Sequence, residues 1–238
     1  MEQETANHYT AIVLSAGRGS RMHSDVPKQY LPLLGHPVLF YSLKCFQDCS
    51  WINDIVLVVG EDYLDYVKEK IVGQYRFTKV ISIVAGGAER YDSVYNGLLA
   101  AKHATYVLIH DGARPLITPA ILERGKETVE TYGSAIAGVP AKDTVKIARK
   151  DGRVEETPDR SSVWQIQTPQ MFSRELLLDA CQSLRKSGPD AMHGITDDAM
   201  ILERTGTKPY LFFADYTNIK ITTPDDMEMA ARYLSIKE

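Results

Sequence analysis

The hydrophobic and polar positions of this chain follow two periods in turn. Five short runs, Thr10 to Leu14, Asp54 to Val59, Val80 to Val84, Tyr106 to Ile109 and Ser134 to Val139, are apolar and rich in β-branched residues, as strands buried in a sheet are. Between them, Pro37 to Cys49, Asp62 to Val72, Tyr91 to Lys102 and Pro119 to Tyr132 carry the wider apolar spacing of amphipathic helices. This alternation predicts a doubly wound α/β fold on a mostly parallel sheet. Right-handed crossovers would put helices on both faces and gather the loops that follow each strand at one edge, where open sheets bind ligands.

From Pro140 to Phe172 the alternation breaks. Thr144 to Ala148 and Val154 to Thr157 flank Lys150-Asp151-Gly152-Arg153, an Asp-Gly hairpin signal, and predict a projecting β-arm over residues 140–162. A two-stranded ribbon is barely stable alone in water, so the arm is expected to pack on a second subunit in a homodimer. Helices near Ser173 to Ser187 and Thr196 to Thr205 follow, then a strand at Lys208 to Phe213. A last helix starts with Thr223 as N-cap, Pro224 at the first helical position, and the acids Asp225 and Asp226. No linker is evident, so residues 1–238 read as a single domain.

The unusual residues fall after the strands. Strand one runs into Ala16-Gly17-Arg18-Gly19-Ser20-Arg21, with Pro27-Lys28-Gln29 just beyond. Gly17 and Gly19 have no Cβ in the way, so backbone N–H groups can approach a polyphosphate, and Arg21 and Lys28 set two cations beside it. The bland alternatives are a structural turn and two solvated surface charges. Ala85-Gly86-Gly87-Ala88-Glu89-Arg90 follows strand three, and His110-Asp111-Gly112-Ala113-Arg114-Pro115 follows strand four, so three polar, glycine-bearing loops are expected to converge. The dinucleotide fingerprint GxGxxG fails, because Met22 holds the third glycine position and residues 37 to 46 carry no acid, which disfavours a nicotinamide oxidoreductase. No Walker-type phosphate loop occurs.

Composition narrows the classes further. At 238 residues, 44% of them hydrophobic, the chain can bury a sizeable core, and a net charge of −4 argues against a nucleic-acid binder. Cys45, Cys49 and Cys181 show no zinc spacing. Met1 to Tyr9 is polar and unlike a secretory signal, and no apolar run is long enough to span a membrane, so a cytoplasmic protein is expected.

AGRGSRM with PKQ, GGAERYDSVYNGL, HDGARP, PAKDTVK, DRSSVWQIQTPQMF, TDDA and NIKITTPDD, in this order from residue 16 to residue 226, resemble the 2-C-methyl-D-erythritol 4-phosphate cytidylyltransferases. The resemblance implies a Rossmann-like nucleotidyltransferase and an enzyme of isoprenoid biosynthesis by the non-mevalonate (MEP) route. In its reaction the acceptor phosphate attacks the α-phosphorus of CTP and releases pyrophosphate, with Mg²⁺ as cofactor. That chemistry needs no general base, since a phosphate monoester is already largely dianionic at pH 7. It needs two anions held together and the developing charge stabilised.

By the family's pattern, Arg21 and Lys28 hold the triphosphate and stabilise the transition state, while Ser15, Ala16, Gly17 and Gly19 supply backbone contacts. Gly87, Ala88 and Ser93 fall on the cytosine contacts. Ala88 stands where many members carry an acid, so it keeps only a main-chain role, and Ser93 is equally a candidate helix N-cap. Asp111 falls near the ribose, the metal and the acceptor alcohol, and Arg114 near the acceptor phosphate; Asp111 also suits a structural turn. His110 reads as a packed histidine. Thr144, Arg160, Thr168 and Lys220 match the acceptor-phosphate pocket, with Thr144 and Arg160 reaching across from the partner's arm, and with Arg160 and Lys220 counted as catalytic. The structural alternatives are an Asp159–Arg160 arm ion pair and Lys220 as a strand-edge charge. Asp197 and Asp198 read as helix-start acids.

Two further departures are Leu14-Ser15, where Pro-Ala is common, and Thr217 before Asn218, where some members have an acid, with Asp215 as a substitute. The nearest rival is the ribitol-5-phosphate cytidylyltransferases, which share PKQ, QTPQ and NIKITT; HDGARP and SVYNGL favour the methylerythritol family. A noncatalytic nucleotide-binding protein is the rival from another class, and the paired Arg21 and Lys28 speak against it.

Overall fold

β1 (Tyr9–Ser15) enters the core first, and Lys28–Tyr30 forms a 3-10 turn beyond its carboxyl end. The computed structural model describes residues 7–17 and 26–236. The hairpin β2 (Pro32–Leu33) and β3 (His36–Pro37) follows, closed by Leu34 and Gly35 at φ 45° and 84°. Positive φ at both central residues is what a two-residue hairpin turn demands. Then come α1 (Val38–Asp48), β4 (Asp54–Val59), α2 (Leu64–Tyr66), β5 (Val80–Ala85), α3 (Arg90–Ala100), β6 (Tyr106–Asp111), α4 (Pro119–Tyr132) and β7 (Ser134–Pro140). The chain continues through β8 (Ile147–Ala148), β9 (Val154–Glu156), β10 (Trp164–Ser173), α5 (Arg174–Lys186), α6 (Ala199–Arg204), β11 (Leu211–Phe213) and α7 (Pro224–Ser235).

Seven strands form one sheet in the order β11-β7-β10-β6-β1-β4-β5. All run parallel except β10, which pairs antiparallel with both β6 and β7. The chain order reverses between β1 and β6, so the crevice beyond their carboxyl ends is the sheet's switch point. The sequence reading assigned Pro140 to Phe172 to an excursion, but only part of it projects. Trp164–Ser173 is a sheet strand that contains Pro169, and its register with β7 slips between Ile166 and Gln170. Proline cannot donate to a ladder, so it sits where pairing is interrupted.

Each central strand buries both faces. Ala11, Val13, Leu57 and Leu108 pack with Leu39, Leu43 and Phe46 of α1 and Ile121 of α4. Ile12, Val56, Val58 and Ile109 face α3, α5 and α6 through Val94, Leu98, Leu177 and Leu202. α3 lies so close to β1 that a Cβ on Gly97 would come within 2.4 Å of Ile12 Cγ2.

Local signals set the helix ends. The Thr118 side chain accepts from Ile121 N–H, Pro119 opens α4, and Gly133 closes it at φ 75°. Thr223 and Asp226 form a capping box at the start of α7. The helix expected over Asp62 to Val72 is instead a 3-10 turn, α2 and a π-helical stretch at Val67–Gly73.

The arm is a short ribbon, with Ile147 opposite Glu156 and Ala148 opposite Val154. Its loop is longer than a two-residue Asp-Gly turn. Gly152 N–H donates to Arg149 O and Arg149 N–H to Arg153 O, with Gly152 at φ 85° in the bulge position.

Candidate active site at the switch point of the sheet

β1 ends in a loop that is fixed from below. The buried Gln29 donates from Nε2 to Ser15 O at 2.7 Å and to Gly17 O at 2.9 Å. The Tyr30 hydroxyl lies 3.4 Å from Ser15 O, and burial pushes its pKa up to about 12, so it stays neutral. Tyr63 stacks on the Tyr30 ring at 4.9 Å. A cleft of about 350 Å³ opens at this loop, lined by Ser15, Ala16, Gly17, Lys28 and Gln29 itself, and by Gly87, Ala88 and Ser93 of the second loop.

The second loop is tied by Ser93. Gly87 N–H donates to Ser93 Oγ at 3.1 Å, and the Ser93 hydroxyl donates to Glu89 O at 3.3 Å. Glu89, not Ser93, caps α3, with its N–H donating to the Asp92 carboxylate at 3.2 Å. Gly86 packs so tightly that a Cβ would meet Ala16 Cβ at 2.5 Å, which brings the first two loops into contact.

Asp111 ends β6 and gathers three cations. Lys220 Nζ is 2.9 Å from Oδ2, Arg114 Nε 3.5 Å from Oδ2, and Arg90 Nε 3.8 Å from Oδ1. Burial raises the carboxyl pKa, but Lys220, Arg90 and Arg114 together outweigh it and hold the group well below the ordinary carboxylate range. Lys220 is set beside it by its neighbour: Ile221 N–H donates to Ala113 O at 2.8 Å, and Ile221 is buried with Val38 and Leu116. Arg90 is gripped by the fully buried Asp198 through two bonds of 2.8 Å. Burial pushes the Asp198 carboxyl up and the bidentate guanidinium opposes it; the fork geometry is that of a charged pair.

Behind Asp111, the hydrogen-bond network assigns the protons. His110 Nε2 meets the Arg114 carbonyl at 3.3 Å, and a carbonyl only accepts, so Nε2 carries the hydrogen. Nδ1 then accepts from the Thr168 hydroxyl at 3.1 Å, while Thr168 Oγ1 accepts from Asp111 N–H at 3.0 Å. Burial lowers the His110 pKa to about 4 and keeps the ring neutral. Thr168 thus reaches the site with its hydroxyl proton already used in bracing β6 against β10.

A second cleft, of about 450 Å³, adjoins the first and is lined by Arg114, Gln167 and Thr168. Arg90, Asp111 and Lys220 line both. No group of three or more His, Cys, Asp or Glu that would cage a metal occurs among the described residues.

The family profile described as IspD, 2-C-methyl-D-erythritol 4-phosphate cytidylyltransferase, matches residues 9–236. The chain belongs to this family. Proteins named 2-C-methyl-D-erythritol 4-phosphate cytidylyltransferase are similar to it at 51% identity in Lachnoclostridium phytofermentans, covering 94% of this chain and 95% of that one. In Lachnospira eligens the identity is 46%, covering 94% and 98%. The crystal structure of 4-diphosphocytidyl-2C-methyl-D-erythritol synthase from Anaerococcus prevotii superposes with a TM-score of 0.82 at 30% identity, covering 96% of this chain and 99% of that one.

Of the positions that match the cytidylyltransferase motifs, Ser15, Ala16, Gly17, Lys28, Gly87, Ala88, Ser93, Asp111 and Lys220 line the first cleft, and Arg114 and Thr168 the second. Gly19 and Arg21 lie outside the described residues. Thr144 and Arg160 line neither cleft; both are exposed on the arm, where Arg160 NH1 donates to Lys142 O at 3.1 Å and Asp159 caps the turn through Ser161 N–H. Asp215 accepts from Thr217 N–H and hydroxyl, both at 2.9 Å, and so shapes the turn before Asn218. Asp197 and Asp198 both stand at the start of α6: Asp197 accepts from Met200 N–H at 3.1 Å, and Asp198, at the N-cap position, gives its buried carboxylate to Arg90. Sequence reasoning gave no role to Arg90 or Gln29. Their signals were the lone arginine closing GGAER, an acid pair in TDDA for it to meet, and an amide-bearing residue immediately after Lys28.

Proposed function

We propose that this chain, a single cytidylyltransferase domain, transfers CMP from CTP to the phosphate of 2-C-methyl-D-erythritol 4-phosphate, with release of pyrophosphate. The observation that carries the reading is the wall of Arg90, Asp111 and Lys220 common to two adjoining clefts. A group transfer between two phosphates needs such a boundary, where charges serve both substrates at once. CTP takes the cleft of Ser15 to Gly17, with its base against Gly87, Ala88 and Ser93, and the acceptor phosphate takes the cleft of Arg114 and Thr168.

An acceptor phosphate oxygen bonds to the α-phosphorus, the bond from that phosphorus to the bridging β-oxygen breaks, and pyrophosphate leaves with the electron pair. No residue is asked to remove a proton, which agrees with a neutral, buried His110. Arg21 and Lys28 neutralise the triphosphate, and Lys220 and Arg114 face the incoming dianion. Mg²⁺ fits this donor set: Asp111 Oδ1 meets Arg90 Nε at 3.8 Å, beyond hydrogen-bond distance, and one carboxylate with substrate phosphates is how this ion is usually held. Bound there, it would draw charge from the α-phosphoryl oxygens and the leaving pyrophosphate.

The exposed arm supports a homodimer in which Thr144 and Arg160 complete the partner's acceptor cleft. Ile147 and Val154 are apolar and exposed on a ribbon too short to be stable by itself. Three free thiols agree with a cytoplasmic, reducing location, and no helix among the described residues is long and apolar enough to cross a membrane. Pyrophosphate release is measured with CTP and Mg²⁺ and either methylerythritol phosphate or ribitol phosphate. Release with the first alone is the expected result. Release with ribitol phosphate alone transfers the reading to that acceptor, and none with either overturns it.

A further inference from the structure

The nucleotide loop turns two carbonyls inward, Ser15 O and Gly17 O, onto the one side-chain nitrogen of Gln29 at 2.7 and 2.9 Å. Both partners are carbonyl oxygens, so the amide orientation is forced: only –NH₂, with two hydrogens, can satisfy them. A peptide unit is planar and trans, so its N–H points opposite to its C=O. Pulling Ser15 O toward Gln29 therefore turns the Ala16 N–H away from it. Gln29 is held in turn, at 3% exposure beside Tyr30 on a 3-10 turn whose first residue is Lys28.

We propose that Gln29 is a positioning residue that sets the hydrogen-bonding face of the nucleotide loop, and with it the register of Lys28, before CTP arrives. This rests on the assignment of the loop to CTP. The alternative is a packing role, in which the amide only fills space under β1.

Gln29→Met separates the two, because it fills similar space without either donor and adds no charge beside the triphosphate. Gln29→Glu also loses the donors but sets a carboxylate at the wall of the CTP cleft, so a loss there follows from either role. The positioning role predicts that KM for CTP rises at least about fivefold in Gln29→Met, while KM for the acceptor changes less than about threefold. Direct calorimetric titration with CTP shows the same loss. A pure packing role predicts near wild-type CTP affinity in Gln29→Met, or equal rises for both substrates, and either result overturns the proposal. Should Gln29→Met fail to fold, Gln29→Asn takes its place. Its shorter amide cannot span both carbonyls, and an unchanged KM for CTP overturns the proposal equally. Wild-type enzyme that releases no pyrophosphate from CTP would instead remove the underlying assignment, so the two failures are distinguishable.

Discussion

The carboxyl edge of the sheet and the β8–β9 arm differ in how much of their chemistry each holds in place unaided. At the edge, Asp111 is buried among three cations, Arg90 is clamped by Asp198, and the first loop is fixed by Gln29. On the arm, Arg160 is exposed and among the described residues its side chain bonds one backbone carbonyl, and the ribbon's residues are exposed throughout. The contrast teaches a division of labour. Polar groups that must already be oriented when CTP binds are locked by burial, where they cost no reorganisation, while the role proposed for the arm, in another protomer's site, asks for no ordering by its own.

The sharpest break of this comparison is at Lys28. Lys28→Ala is expected to lower kcat roughly 10²- to 10³-fold at saturating CTP and acceptor, the size of losing one preorganised stabilising group. Near-normal turnover in a steady-state assay would take the edge out of the chemistry. Asp198→Ala tests the lock rather than the cation. It leaves the Arg90 guanidinium mostly buried without its bidentate partner and with only the longer contact to Asp111, and is expected to cost about 3 kcal/mol in urea unfolding. Adding Arg90→Met should return part of that stability, although activity stays low.

Acid probes the same edge with a calculable sign. His110 has a folded pKa of about 4, below its unfolded value, so between pH 6.5 and 4 the unfolded chain binds a proton that the native one refuses. Stability therefore falls as pH falls through that window, by roughly 2 kcal/mol from pH 7 to pH 5. His110→Gln should flatten this part of the profile. Asp111 adds little above about pH 5, because its carboxyl is held low in the folded state and its stabilisation is lost only as pH falls through the ordinary carboxylate range, where the unfolded chain takes up the proton first.

The edge was also the more legible region. Glycines and isolated charges after β1, β5 and β6 stood out against apolar strands, and the parallel sheet brought those loops together. What stayed hidden were pairings between distant residues. Arg90 and Asp198 are 108 positions apart, and no local period announces a bidentate bond. Trp164-Gln165-Ile166-Gln167 does alternate as a strand should, yet the segment reads as part of the excursion because the strand–helix alternation breaks at Pro140, whereas the structure returns it to the sheet and absorbs Pro169 in a register slip. On the arm the hairpin was visible from Asp151-Gly152, but strand lengths were overestimated, since no buried face fixes where exposed pairing stops.

The arm's contribution is tested by separating it from the edge. Arg160→Ala is expected to raise KM for the acceptor about tenfold with little change for CTP. A mixed dimer gives a stronger test. A protomer with Lys28→Ala still carries an intact arm, and one with Arg160→Ala an intact edge, so each heterodimer has one complete site. Assayed with acceptor well below KM, where both variants are slow, subunit exchange between them should raise the rate to about a quarter of the wild-type one, because half the dimers are mixed and half their sites are whole. No recovery after verified exchange would mean that Arg160 serves its own protomer.

Gly152→Ala has the smallest expected effect and separates arm geometry from arm chemistry. Gly152 holds φ 85°, where an added Cβ meets no atom within 4 Å, so the cost is backbone strain alone, on the order of 1 kcal/mol. That strain falls on a ribbon of two and three residues, far from the buried strands, so the thermal midpoint of the sheet and KM for CTP should both stay at wild-type values. If the arm completes the partner's cleft, its misplacement should still raise KM for the acceptor two- to threefold and weaken the dimer in sedimentation velocity. An acceptor KM that stays constant while the dimer weakens would reduce the arm to a fastening between protomers and leave acceptor binding to Arg114 and Lys220.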